Sequence, residues 1–459
     1  MHRLASVILA AGLGTRMKSA LPKVLHPLAG RPILSYPLEI SKKMRAAPCY
    51  VLIPPAKKLF EPLLAQFGAH GIIQQKPLGT AHAVLATRSV LSSFQGHVLI
   101  LCGDVPLLRF ETVRDFVSRV VKEKMTLGVI TMRMEVPEAY GRVVRDLDAK
   151  VVGIVEAKEA TEDQRKITEV NTGVYCVEKE WLFKVLQHIR PSKGGGEYYL
   201  TDIVSHAVSE GESLLGYEAS DSSEFLGVNS RSDLAHVARL MRHRLNQSYM
   251  REGVGMIDET SVYIDDGVQI GEDTLLHPGV CLRGKTKVGR RCILEPGVIL
   301  TDMMVADDVQ VKAYSILDGS RVAEGAVIGP FARIRPESDI GKEVKIGNFV
   351  EVKKTTLKRG AKANHLSYLG DSIIGAEANI GCGTITCNYD GHSKHQTIIG
   401  EKAFIGSDVQ FVAPVKVGRD AVVGAGSTIT KNVPAHSLSL ARSQQVVIKG
   451  WKPKWKRKK

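Results

Sequence analysis

The chain has 459 residues, 44% of them hydrophobic and 24% charged, a globular composition with length for two or three domains. No apolar run approaches the roughly 18 residues of a membrane span, and the opening MHRLASVILAAG runs straight into a glycine loop, which reads as a first strand and not a secretory signal. The net charge of +14 overstates the basic character of the folded part, because seven basic residues sit in the last eleven, KGWKPKWKRKK; that segment reads as a solvated tail, and nucleic-acid contact through it is not expected.

Residues 1–230 alternate short apolar runs with amphipathic stretches. SVILAAG (6–12), YVLIP (50–54), GIIQQ (71–75) and HVLILCGD (97–104) read as strands, while KKLFEPLLAQF (57–67) and TAHAVLATRSVL (80–91) read as helices. This alternation predicts an α/β domain with a mostly parallel, Rossmann-like sheet, and ligands in such sheets sit beyond the carboxyl ends of the strands. The loop LAAGLGTRMKSALPKVL (9–25) and Asp104 both fall at such ends. The loop is neither a dinucleotide fingerprint, which needs glycine at Met17, nor a P-loop, which needs Gly-Lys at 17 and 18. Gly12 and Gly14 still let main-chain N–H groups approach phosphate oxygens, and Arg16 and Lys23 supply charge.

SRSDLAHVARLMRHRLNQSYM opens with serine caps and carries Leu234, Val237, Met241, Leu245 and Tyr249 on one stripe. It predicts a helical linker over 231–251. From 252 to 459 the period becomes six: aliphatic–Gly pairs end at Gly271, Gly289, Gly329, Gly347, Gly375, Gly381, Gly400, Gly406, Gly418 and Gly424, among others. Hexapeptide repeats predict a parallel β-helix whose triangular coil closes in three repeats, about 18 residues. The phase slips between Gly347 and Gly375, between Gly381 and Gly400, and between Gly289 and Gly329. Extra residues there are expected to leave the coil as loops, and the first two intervals contain KANHLSYLGD and CNYDGHSKH. Arg335 and Lys353 stand one full coil apart, so they should stack at roughly 4.8 Å. Two cations that close favour a shared anion such as a sugar phosphate. The seven cysteines are odd in number and scattered, which argues for a reducing compartment, and Cys382 and Cys387 have no second pair to complete a zinc site.

LAAGLGTRM followed by PK resembles the signature of sugar-1-phosphate nucleotidyltransferases. The resemblance continues through QQKPLGTAHA, LCGDVPLL, YGRVV, GIVEAKEAT, NTGVY and GVNSR, and then through HLSYLGD, GTITCNYDG, IGSDVQ and AGSTIT. Taken together, these motifs resemble the bacterial family that joins N-acetylglucosamine-1-phosphate uridylyltransferase to glucosamine-1-phosphate N-acetyltransferase. The resemblance implies that the β-helix is left-handed and that the chain is a homotrimer. It implies UTP and acetyl-CoA as co-substrates, and a cytoplasmic enzyme feeding cell-wall and lipopolysaccharide synthesis.

By the same resemblance UTP lies along Leu9, Ala10, Ala11 and Gly12 with Arg16, Lys23, Gln74, Gly79 and Thr80, then Cys102, Gly103 and Asp104. Asp104 and Asn229 would hold Mg²⁺, and Gly141, Glu156 and Asn171 would contact the sugar. The family usually has tyrosine where this chain has Cys102. In the second half His365 is implied as the base that deprotonates the acceptor amine. Arg335, Lys353, Tyr368 and Asn379 would hold the acceptor sugar phosphate. Cys382, Asn388, Tyr389, Ser407, Ala425 and Arg442 would meet acetyl-CoA. The rival reading is a monofunctional sugar-nucleotide pyrophosphorylase whose β-helix only assembles or regulates.

Overall fold

A computed structural model describes residues 3–12, 14–192 and 196–456; the last three residues of the basic tail lie outside that range. The chain forms two compact units, Met1–Met241 and Arg242–Lys459.

The first unit is built on one sheet with the strand order Leu214–Glu218, Leu127–Arg133, Glu169–Glu178, His97–Cys102, Leu4–Leu9, Cys49–Ile53, His70–Ile73. Every pairing along it is parallel except the two made by Glu169–Glu178, which also carries the hairpin of Arg142–Arg145 and Val151–Val155 at its edge. The mostly parallel sheet expected from the sequence is therefore present. LASVIL and HVLILC are apolar on both faces because both faces are covered; their central residues are buried throughout. One covering helix, Phe110–Lys122, buries Val113, Phe116, Val117 and Val120 at helical spacing. The helix read over 80–91 is shorter than expected and stops at Leu85. There the Thr87 hydroxyl donates to the Val84 carbonyl at 2.7 Å, which takes up an acceptor the next helical turn would have used.

Helix Arg231–Arg251 starts where Asp233 accepts the backbone N–H groups of Asn229 and Ser230, both at 2.9 Å, while Ser230 Oγ accepts the N–H of Asp233. This reciprocal cap fixes Asn229 just ahead of the helix.

The second unit is a prism of three parallel sheets in which each strand pairs with the strand one coil later, and it fits a left-handed parallel β-helix. Leu276, Leu294, Val311, Ile328, Ile346, Ala363, Ile380, Ile405 and Val423 form one buried interior column.

The register corrects two of the three expected loops. Arg333 pairs with Glu351, a step of 18, but Asp339 pairs with Thr356, Lys345 with Lys362 and Glu351 with Tyr368, each a step of 17. The interval from Gly347 to Gly375 therefore holds no inserted loop; two of its faces are one residue short, and HLSYLGD stays in the coil. The interval from Gly289 to Gly329 behaves likewise, with Lys287 pairing Met304 and Met304 pairing Arg321. The chain turns these short corners through left-handed residues, among them Asp302, Lys354 and Asp371. Only the third slip is an insertion: Ser372 pairs with Thr397, a step of 25, and the surplus forms the loop closed by the bridge between Tyr389 and Lys394.

Where coils stack this closely, a side chain at the corner has no room. A methyl at Gly347 would overlap the Asn364 carbonyl, whereas one at Gly153 in the first unit meets nothing within 4 Å. Gly347→Ala should destabilise the second unit by about 1–3 kcal/mol, read as a lowered unfolding midpoint, with Gly153→Ala unchanged. Equal midpoints would contradict this packing.

Candidate active sites

A cavity of about 380 Å³ opens at the carboxyl ends of the strands in the first unit. It is lined by Leu9, Ala10, Ala11, Gly12, Lys23, Gln74, Gly79, Thr80, Cys102, Asp104 and Glu156, all indicated by the sequence, and also by Glu197 and Tyr199, which were not. Gly103 is next to the wall, its N–H donating to the Leu9 carbonyl at 2.9 Å. Arg16 is exposed on the short turn Thr15–Met17 and does not line the cavity.

The floor is held by charge. Lys23 Nζ is paired with the Asp104 carboxylate and donates to Asn229 Oδ1 at 2.9 Å. The Val228 N–H bonds the Asp104 carbonyl at 2.9 Å, which brings Asn229 beside the end of strand His97–Cys102. A carboxylate and an amide oxygen thus converge on one cation, a donor set that suits Mg²⁺ completed by substrate phosphates and water. The described residues contain no cluster of three or more His, Cys, Asp or Glu that could hold a metal.

Gly141, Asn171 and Asn229 do not line the cavity themselves; the Asn171 N–H donates to the Gly141 carbonyl at 2.9 Å, and Asn171 Oδ1 accepts from the Gly173 N–H at 3.0 Å. A methyl on Gly141 would stand 3.7 Å from Glu156 Oε2, so Gly141, Glu156 and Asn171 form one group. Burial raises the Glu156 carboxyl above its ordinary range, opposed by a hydrogen bond from Thr201.

In the second unit one position on successive coils forms a column. Asn348 is in register with His365, and backbone bonds continue the sequence through Cys382, Ser407 and Ala425. The column ends at Arg442, whose Nη1 donates to the Ala425 carbonyl at 2.8 Å. His365 Nδ1 lies 3.0 Å from Asn348 Oδ1. His365 therefore stands on strand Lys362–His365 and not in a loop.

Around the next corner, Lys353 is opposite Gly370, and Tyr368 OH and Asn388 Nδ2 both crowd the space a Gly370 side chain would need. Asn388 Nδ2 donates to Asp371 Oδ2, and Lys353 Nζ lies 3.6 Å from the same oxygen. Arg335 follows in register with Lys353, yet each cation has its own carboxylate, Arg335 pairing with Glu351 at 2.9 Å. Lys394, brought in by the inserted loop, contacts Lys353 and has its ammonium pK lowered by that contact. Tyr389 is exposed on the same loop, and Asn379 lies on the outer face between Lys362 and Phe404.

The nucleotidyl transferase family matches residues 5–234, and the GMPPB C-terminal domain family matches residues 316–414. The chain is 45% identical over 459 residues to the bifunctional protein GlmU of Pelobacter propionicus, covering 100% of both chains. It is 47% identical over 451 residues to that of Trichlorobacter lovleyi, covering 97% of each. With the protein of the same name from Anaeromyxobacter dehalogenans it shares 47% over 452 residues, covering 98% of this chain and 92% of the relative. The chain belongs to the GlmU family. Both units fall within the GlmU likeness, since it runs the full length.

The GlmU motifs did not indicate Glu197, Tyr199, Lys394 or Asn348. For the first two the available signal was EYYLTD, a polar and aromatic run directly after glycines. Its backbone is tied to the segment that lines the cavity at Gly79 and Thr80: the Tyr198 N–H bonds the Leu78 carbonyl at 2.8 Å and the Leu200 N–H bonds Thr80 Oγ1 at 2.9 Å. Gly79, at φ 113°, must be glycine because any side chain would strike the Tyr198 backbone.

All seven cysteines are free thiols. Burial, with Asp104 adding, pushes the Cys102 thiol up to about 12, so it stays protonated in neutral solution. Iodoacetamide at about pH 8 should modify the exposed Cys387 and spare Cys102. Peptide mass mapping that finds both modified at equal rates would overturn this.

Proposed function

We propose that the first unit transfers a uridylyl group from UTP to N-acetylglucosamine-1-phosphate, and that the second acetylates glucosamine-1-phosphate from acetyl-CoA. The observation that carries the bifunctional reading over a pyrophosphorylase with an inert β-helix is the column from His365 to Arg442 beside the cations Arg335, Lys353 and Lys394. An assembly module has no need of such a group.

In uridylyl transfer the phosphate oxygen of the sugar attacks the α-phosphorus of UTP in line, and pyrophosphate leaves. The nucleophile is already an anion, so no general base is needed. Leu9–Gly12, Gln74, Gly79 and Thr80 would seat the nucleotide, and Gly141, Glu156 and Asn171 the sugar. Asp104 and Asn229 would hold Mg²⁺, which neutralises phosphate charge when bound. Lys23, released from Asp104, is then free to meet the phosphates.

In acetyl transfer the acceptor arrives as an ammonium. With Asn348 Oδ1 as acceptor, His365 carries its proton on Nδ1 and keeps the Nε2 lone pair for the substrate. Nε2 takes the ammonium proton and passes it to solvent, the amine attacks the thioester carbonyl, and the C–S bond breaks; the proton the nitrogen sheds as it becomes an amide goes to the departing CoA thiolate. Arg335 and Lys353 suit the sugar phosphate, with Tyr368 and Asn379 on the ring. Asn388 and Tyr389 suit the acetyl group, and Cys382, Ser407, Ala425 and Arg442 the rest of acetyl-CoA.

We also read the chain as a cytoplasmic homotrimer. No helix of the described residues is long and apolar enough to cross a membrane, and free thiols suit a reducing compartment. The exposed ladder of Tyr314, Phe331 and Phe349, stacked at 5.5 and 5.4 Å, is apolar surface that a trimer would cover.

Separate units predict separable losses. Asp104→Ala should abolish UDP-sugar formation and leave acetyl transfer intact. His365→Ala should cut acetyl transfer by about 10²–10⁴-fold and leave uridylyl transfer from N-acetylglucosamine-1-phosphate unchanged. Steady-state assays of each half-reaction check this, and a parallel loss of both activities in either folded variant would contradict it.

A further inference from the structure

Glu156 is a carboxylate in the cavity wall, and among the described residues no cation pairs with it; its hydrogen bond comes from the Thr201 hydroxyl, 2.9 Å from Oε1. The acidic groups Asp202, Glu159 and Glu197 make its charge harder to hold, and that charge in turn raises the phenols of Tyr175 and Tyr199. Thr201 itself is buried, only 4% exposed, at the start of helix Asp202–Glu210. The residue before it is tied to Thr80 through the Leu200 N–H. One short segment thus bonds both the nucleotide end of the cavity and the carboxylate at its sugar end.

We propose that Thr201 is a positioning residue for the uridylyl-transfer site: its hydroxyl pins Glu156 Oε1, so that Oε2 faces Gly141 as a fixed acceptor for a hydroxyl of the sugar phosphate. The inference rests on the reading that Glu156 contacts the sugar. Two physical consequences follow from the bond. It restricts the carboxylate to one orientation, so an acceptor is in place before the sugar arrives. It also favours the ionised form against burial and the surrounding acids. Removing the donor therefore moves the Glu156 pK further up, and at a given pH more of the enzyme carries a protonated carboxyl that no longer serves as a full acceptor.

The test is the steady-state uridylyl-transfer kinetics of Thr201→Val, Thr201→Ala and Thr201→Ser. Loss of a hydrogen bond to a charged group should raise KM for N-acetylglucosamine-1-phosphate about tenfold in the Val and Ala variants. Their KM for UTP and their kcat should stay within about twofold of wild type, which also reports that the unit has folded. The acid limb of kcat/KM for the sugar phosphate should shift to higher pH in both, and Thr201→Ser should restore both the KM and the limb. Glu156→Gln separates the two ideas. If it leaves the sugar-phosphate KM unchanged, the reading of Glu156 as a sugar contact fails. If it raises that KM while Thr201→Val and Thr201→Ala do not, or if Thr201→Ser fails to restore the acid limb, the positioning role of Thr201 is overturned.

Discussion

The parallel register of the β-helix is the constraint on which the second unit depends. Each strand hydrogen-bonds its counterpart one coil on, so a residue's position within the coil decides which column it joins and which neighbours it has. Asn348, His365, Cys382, Ser407 and Ala425 are far apart in sequence but consecutive in one column. A chemical group on any of them is delivered next to the others without a dedicated loop. The same rule places Lys353 beside Gly370 and lets Asp371 receive both Lys353 and Asn388. Coils shortened by one residue set those corners, so the grouping around Asp371 owes as much to missing residues as to the inserted loop.

The six-residue period was legible because the same physical demand recurs at every corner: an aliphatic side chain inside, then a residue small enough for close stacking. The phase slips were legible as events but not in sign. A shift of four positions and a shortfall of two leave glycines at the same spacing, and only the pairing of Glu351 with Tyr368 separates them. His365 was thus assigned to a loop and is on a strand, where Asn348 can orient it. In the first unit the strand ends were readable from apolar runs, whereas the antiparallel strand Glu169–Glu178 was not, since direction leaves no mark on burial.

The first site depends on long-range electrostatics. Lys23 is 81 positions from Asp104 and 206 from Asn229, and no local pattern joins them. Family motifs pointed to all three; their mutual contact is a property of the folded sheet, whose strand ends bring separate loops to one edge. Glu197, Tyr199 and Lys394 fall outside the motifs for a related reason. Their importance comes from what their segments cross, Leu78 and Thr80 in one case and Lys353 in the other.

The two sites differ in what the protein must supply. Uridylyl transfer begins from an anion and needs charge neutralisation and alignment, while acetyl transfer begins from a cation and needs a proton acceptor. Separate units let each be tuned alone. The central claim is that one chain performs both reactions. Its most direct test incubates the purified full-length protein with glucosamine-1-phosphate, acetyl-CoA and UTP, omitting each in turn, with products followed by phosphorus NMR. The account predicts UDP-N-acetylglucosamine only when all three are present, and N-acetylglucosamine-1-phosphate accumulating when UTP is left out. Pyrophosphate release from N-acetylglucosamine-1-phosphate and UTP, with no acetylation of glucosamine-1-phosphate under any condition, would contradict it.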